Sequence, residues 1–156
     1  MPDGPRYEDD FYAWTQYQAA VLRTMRRADN RLDREHVAEE IEDLGKSERD
    51  AVRSQVRRII EHLLKLEYSP AIAPRFDWMA SIGEARQALS DKLTATLQRD
   101  VEAMLPQLYS DGRELAEIGL GKFGEGTAAA RFPAACPYTL DEIRRRGWYP
   151  EPAEPD

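Results

Sequence analysis

The sequence predicts an all-α fold: a compact bundle of about four helices, one of them long and bent, with a C-terminal arm. Three observations carry this expectation. Apolar residues recur every three or four positions through most of the chain, the spacing of a helix face. No segment reads as a strand. Proline, glycine and capping residues interrupt the pattern at only a few places. A chain of 156 residues and 17.9 kDa suits one domain. Its helical core is expected over about residues 8–119, a loop and arm over about 120–150, and flexible ends at 1–7 and 151–156.

Residues 1–7 carry two prolines and a glycine and read as a loose leader. The first helix is expected from Glu8 or Asp9, whose carboxylates suit the positive end of a helix dipole. Tyr7, Phe11, Trp14, Val21 and Met25 share one face, and Ala28-Asp29-Asn30 reads as a turn. Asp33 is the expected N-cap of a long helix reaching Tyr68, with Val37, Ile41, Leu44, Val52, Val56, Ile59 and Leu63 as its apolar stripe. Ser69-Pro70 ends it, because proline cannot extend the hydrogen-bond ladder. About 36 residues would span roughly 54 Å, so a bend is expected near Gly45. Eight acids and three bases in residues 33–50, then two acids and four bases in 51–68, complement the macrodipole of this helix.

A third helix is expected to start around Phe76 to Trp78, with Trp78, Ile82, Ala85, Leu89, Leu93 and Leu97 on one stripe. Asp100 is the expected cap of a fourth, carrying Val101, Met104, Leu105, Leu108, Leu115 and Ile118, with Pro106 early in it and Gly112 weakening its middle. Residues 119–126 hold four glycines in eight and read as a loop. Thr139 caps a short helix from Leu140 to Arg146, stopped by Gly147. Three prolines within residues 150–156 read as a disordered tail.

An apolar fraction of 42% supports an ordinary core without disulfides or a structural metal. A net charge of −7 argues against a phosphate-binding face. Nucleic acid is therefore a disfavoured partner, with Arg144, Arg145 and Arg146 the patch that keeps it open. The single Cys136 excludes an internal disulfide and suits a reducing compartment. No apolar run approaches about 18 residues, and Met1 to Arg6 lacks the apolar stretch of a signal peptide. The expectation is a cytoplasmic protein with no membrane partner.

Catalytic motifs do not assemble. Gly121-Lys122 is followed by Phe123, whereas a Walker loop needs Ser or Thr there and a strand before it, so this run reads as a flexible connection. Cys136 lies between Ala135 and Pro137, and only His36 and His62 are available to activate it, so it reads as a small packed apolar group. Gly-x-Ser-x-Gly is absent. No catalytic residue is assigned and no motif implies a cofactor, which leaves open whether the protein is an enzyme. The metal-ligand candidates are His36 and Glu40, one turn apart in an acidic run, together with Glu48 and His62. Neither histidine has a glutamate three residues before it, as di-metal carboxylate bundles require. On one helix the two histidines would lie roughly 39 Å apart. A solvated acidic helix face is the competing reading.

The more informative signal is polar residues inside apolar stripes. At about 100° per residue, Glu48, Gln55 and His62 climb one side of the long helix's stripe as a ladder, about 20° to 60° from Ile41. Arg86 falls within the stripe of the third helix, and Asp10 and Gln18 within that of the first. Buried polar groups need partners, so Glu48 is expected to meet Arg86, and the Gln55–His62 region to form a hydrogen-bonded network. Such a network either fixes helix register or lines a site.

The same residues carry a resemblance. Asp10-Phe-Tyr-Ala-Trp-Thr-Gln-x-Gln18, Glu39-Glu-Ile-Glu-Asp-Leu-Gly-Lys-Ser-Glu-Arg49 and His62-Leu-Leu-Lys65, with Trp78, Ile82, Arg86 and Cys136-Pro-Tyr-Thr139, resemble a bacterial family known only as domain of unknown function 29. The likeness runs from about Tyr7 to Pro150; it departs at Leu66-Glu-Tyr-Ser-Pro70, where the family has Trp-Gln-Tyr-Gln-Pro after its lysine. It implies an all-helical cytoplasmic domain and supplies no activity or site residue. The functional expectation is a small helical interaction or assembly module without catalytic activity, partnered by its own copies or by another protein. The alternative is a metal- or small-ligand-binding helical protein, enzyme or not, using the interior polar residues. Trp148 and Tyr149, following Arg144 to Arg146, either dock a partner or pack the arm onto its own bundle.

Overall fold

The computed structural model describes residues 3–27 and 29–155; Met1 and Pro2 of the expected leader, Ala28 of the expected turn and Asp156 of the tail lie outside the described residues. Among the described residues the fold is all-α without strands: α1 (Phe11–Thr24), α2 (Arg34–Tyr68), α3 (Arg75–Lys92), α4 (Ala95–Lys122), α5 (Gly126–Ala129) and α6 (Leu140–Arg144). The first four are substantial helices, and none of the described helices is long and apolar enough to cross a membrane.

The long α2 is the axis against which α1, α3 and α4 pack. Asp33 caps it as expected, its carboxylate accepting from the His36 amide, and Ser69 closes it. Ion pairs and close approaches give the directions. Arg23 reaches Glu35 and Glu42, so α1 runs antiparallel to the first half of α2. Lys92 meets Glu48 and Ser81 meets Arg58, so α3 is antiparallel as well. Arg53 grips Asp100 with two bonds of 2.9 and 2.6 Å, while Gly112 lies against Arg57 and Gly119 against Lys65, so α4 runs parallel to the second half. The core is therefore the second half of α2, α3, α4 and the arm, with Ile59, Ile60, Leu63, Leu64, Ile82, Leu89, Leu120 and Ile143 buried. Among the described residues, 34–47 of α2 extend past the end of α3 and pair with α1 as a two-helix hairpin.

Several boundaries and faces differ from expectation. α1 begins at Phe11, because the Asp10 carboxylate caps it through the Ala13 amide at 2.9 Å. α2 runs unbroken through Gly45, which is buried where α1 approaches closely, against Thr15. α3 stops at Lys92, Thr94 caps α4 through the Leu97 amide, and Leu97 thus belongs to α4. Asp100, expected as that cap, instead holds Arg53. α4 absorbs Pro106 and Gly112 and continues through Gly119 and Gly121, so the expected glycine loop shrinks to a turn in which Gly124 takes φ 76°. Beyond Gly112 the inward face of α4 is Ala116 and Leu120, and Leu115 and Ile118 are exposed. Small residues face α2 there because a Cβ at Gly112 would sit 3.0 Å from the Arg57 carbonyl. Thr139 caps α6 with a full capping box to Glu142, and the helix ends at Arg144 rather than Arg146.

Both described ends make contacts with the bundle. Asp9 and Asp10 amides donate to the Arg6 carbonyl, and Gly4 lies against the Tyr17 ring. In the tail, the Ala153 amide donates to the Glu67 carbonyl at 2.7 Å. Pro150, Pro152 and Pro155 deprive this segment of helix, and of its remaining amides that of Ala153 ties it to the bundle.

Candidate functional site

The expected polar ladder does not close on itself. Glu48 faces Lys92, whose ammonium donates to both carboxylate oxygens at 2.9 and 3.0 Å, and it does not meet Arg86. The two were expected to pair because both lie within apolar stripes, but Glu48 sits where α3 ends and Arg86 is a turn and a half earlier. Gln55 leaves its buried Oε1 without a partner, and His62 places Nδ1 2.8 Å from the carbonyl of Arg58 on its own helix, so no Gln55–His62 network forms. Burial, above all, lowers the His62 pKa below 6.5, with the Glu61 carboxylate opposing.

Arg86 is the most deeply buried of the polar candidates, at 3% exposure. Its Nε donates to the Ile143 carbonyl at 2.9 Å and Nη2 to that of Glu142 at 3.1 Å, and the guanidinium lies 5.5 Å from the Tyr149 ring centre. Nη1 is buried without a partner, and burial lowers the pKa. Arg86 thus takes two carbonyls at the C-terminal end of α6, that of Glu142 shared with the Arg145 amide, and holds the arm against α3. Elsewhere in the arm the buried Tyr138 hydroxyl donates to Glu67 at 2.6 Å and its ring meets Trp148 edge-on, while burial drives its pKa up. The Tyr109 hydroxyl donates to the Pro133 carbonyl, and burial pushes its pKa up to about 12. Cys136 packs against the core and donates to the Tyr138 carbonyl; burial raises its thiol pKa. Trp148 and Tyr149 accordingly pack the arm onto its own bundle.

Asp10 joins two helices. One oxygen accepts from Ala13 and the other from the Thr96 amide at 3.0 Å, at the start of α4. Burial pushes its pKa up, but the hydrogen bonds from Ala13, Thr96 and Thr94 outweigh it and the net shift is downward. Gln18 is half-buried on α1 without a hydrogen bond among the described residues. Of the metal candidates, His36 Nδ1 lies 2.7 Å from Asp33 Oδ2, a contact that raises the histidine pKa, and Glu40 is exposed. No three His, Cys, Asp or Glu side chains gather to hold a metal among the described residues. A groove of about 520 Å³ opens at the opposite end of the bundle between Tyr68, Ile72, Arg75, Ala128, Arg131 and the docked tail.

What the structure brings together instead is an apolar surface. The α1–α2 contact consists of small residues, Thr15 and Ala19 against Ala38 and Gly45, all buried. Measured around each helix from that contact at about 100° per residue, Arg23 and Glu42 fall on one side of the hairpin. The stripes read as core from the sequence fall on the other. Tyr7, Val21, Met25, Val37 and Leu44 are all exposed there, Tyr7 at 55% and Leu44 at 52%, with Leu32 exposed at the turn. Phe11, Trp14 and Ile41 are half-buried on the same side. Tyr7 meets Phe11 and Trp14 edge-on at 5.3 and 4.9 Å, so the aromatic end of the face is ordered. This face continues the groove that α3 fills further along α2: the Glu48–Lys92 pair marks the end of α3, and Leu44, Ile41 and Val37 are the next turns. The stripe was legible in the sequence; its exposure was not.

Residues 6–149 match the family described as Domain of unknown function DUF29, and the chain belongs to that family. A solved structure of an α-helical protein of unknown function from Rhodospirillum rubrum is similar, with a TM-score of 0.82, 25% identity, and 94% of this chain and 93% of that one covered. A comparison with curated proteins finds no match.

Proposed function

We propose that this member of the DUF29 family is a cytoplasmic helical interaction module without a catalytic role, and that it docks its partner through the apolar side of the α1–α2 hairpin. One observation carries the reading: an ordered apolar face on two adjacent helices, at the place where the neighbouring helix α3 stops. Isolated exposed apolar residues are ordinary, whereas a contiguous apolar surface marks an interaction site. Tyr7, Phe11 and Trp14 add the aromatic content that dominates interface energetics. A partner helix laid along Val37, Ile41 and Leu44 would continue the packing that α3 provides beyond Glu48.

The test is the mass of the complexes that hold the protein in gently prepared extracts of its native cells. The wild type should run well above 17.9 kDa, and Leu44→Asp should run as the monomer with unchanged helicity, because Leu44 supports no part of the core. Wild type and variant both running as monomers, or both keeping one heavy complex, would sink the reading.

A further inference from the structure

Resting on that reading of the hairpin face, we infer that its partner is a second copy of this chain, docked two-fold and antiparallel, so that the tip of each hairpin meets the base of the other. The charge distribution along the face carries the argument. At the tip, residues 24–34 hold four arginines (Arg26, Arg27, Arg31, Arg34) against Asp29 and Asp33, a net of +2, while Arg23 lies on the other side of the hairpin with Glu42. At the base, residues 3–10 hold Asp3, Glu8, Asp9 and Asp10 against Arg6, a net of −3. The apolar residues lie between these ends along the 14 residues of α1, about 21 Å at about 1.5 Å per residue, with Tyr7 and Met25 at its two margins. A parallel pairing of two copies would set tip against tip and base against base, with like charges opposed. The antiparallel two-fold pairing sets each basic tip on an acidic base and repeats the match twice, as an isologous interface requires. Arg26 and Arg27 are exposed and without an ion partner among the described residues, and Glu8 is likewise exposed.

The size of the face fits as well. Two helices about 8–10 Å apart, each about 10 Å across, give a strip roughly 19 Å wide. Multiplied by its length this is about 400 Å² per copy in projection. Both copies together reach about 800 Å², the size of a weak, transient association. The resulting association is a modest, salt-sensitive dimer, because its two end contacts are exposed ion pairs.

Sedimentation velocity of the purified full chain over a concentration series tests the geometry. The wild type should pass from 17.9 kDa to twice that mass. A tip variant (Arg26→Glu with Arg27→Glu) and a base variant (Glu8→Arg with Asp9→Arg) should each dimerise about tenfold more weakly or worse. All four positions are exposed, so circular dichroism should show unchanged helicity. Mixed one to one, the two variants should recover a heterodimer near wild-type strength, because both tip-to-base contacts are then between opposite charges. A dimer that ignores the charge variants, or a mixture that does not recover, overturns the antiparallel arrangement. A wild type monomeric throughout overturns the second copy as partner. In that case a Leu44-dependent heavy complex in extracts would leave the docking reading standing with another protein as occupant, and its absence would remove both.

Discussion

Replacing Gly45 and Gly83 by alanine should change stability in opposite directions, although both glycines lie inside long helices. Alanine in a helix interior is favoured over glycine by about 1 kcal/mol. At Gly83 a Cβ meets nothing within 4 Å, so that gain stands alone. At Gly45 a Cβ would lie 2.0 Å from Thr15 Oγ1, 2.6 Å from Gln16 Nε2 and 3.1 Å from Thr15 Cβ. The Gln16 amide can swing away, at the loss of its bond to the Glu42 carbonyl. Thr15 cannot: it is fully buried and β-branched, and its hydroxyl is tied to the Tyr12 carbonyl at 2.6 Å. The helices must then separate, and overpacking of this kind costs about 1–3 kcal/mol. With the propensity gain subtracted, Gly45→Ala should destabilise by about 1–2 kcal/mol. At about 2–4 °C per kcal/mol for a chain of this size, Gly83→Ala raises Tm by a few degrees and Gly45→Ala lowers it by as much or more. Thermal and urea unfolding followed by circular dichroism measure both. Adding Thr15→Ala to Gly45→Ala removes the atom at 2.0 Å, so the pair should couple favourably by about 0.5 kcal/mol or more. If Gly45→Ala stabilises as Gly83→Ala does, the close α1–α2 approach is wrong, and the exposure of the hairpin's apolar side loses its basis.

Three further expectations follow from the polar contacts. Arg86→Met removes two charge-assisted bonds worth about 1.5–3 kcal/mol each, part of which is returned by relief of a buried charge. A net loss of about 2–4 kcal/mol and faster proteolysis within residues 136–150 are expected, and unchanged cleavage there would deny Arg86 its hold on the arm. Glu48→Leu should shift stability by no more than about 1 kcal/mol, since its lysine partner is solvated; a loss of several would mean that Glu48 faces a buried cation after all. The two histidines should titrate on opposite sides of 6.5 in ring-proton NMR, His62 below it through burial and His36 above it through Asp33. For His62 the folded value is depressed, so its stabilising share is complete above about 6.5 and is lost as pH falls through the folded value, a loss that His62→Gln should abolish. For His36 the folded value is raised, so its share is present below about 6.5 and disappears as pH rises through the folded value. The reverse order of the two titrations would refute both assignments.

The interior polar residues were visible in the sequence as residues out of place on apolar faces, and Arg86 and Asp10 do have structural partners. Which partners could not be read, because those of Arg86 are backbone carbonyls 56 and 57 residues away and one of those of Asp10 is an amide 86 residues away. Spacing along one helix says nothing about a carbonyl on another. The sequence pairs Glu48 with Arg86 because it carries no sign that α3 ends at Lys92. That end rests on Thr94, a cap that competes with the equally plausible Asp100, and the choice between them places Asp100 opposite Arg53 instead.

Local chemistry by itself determined the all-helical character, the number of long helices, the stop at Ser69-Pro70 and the caps at Asp33 and Thr139, because each depends on side chains within four residues of the backbone group they satisfy. Tertiary structure alone decided which side of α1 and α2 faces inward. The sequence marks Trp14, Val21, Val37 and Leu44 as the apolar side, yet the helices meet through Thr15, Ala19, Ala38 and Gly45. Small residues let two backbones approach closely and gain dispersion contacts over their whole length, and that proximity outweighs the larger side chains, which have no third helix to bury them once α3 has ended.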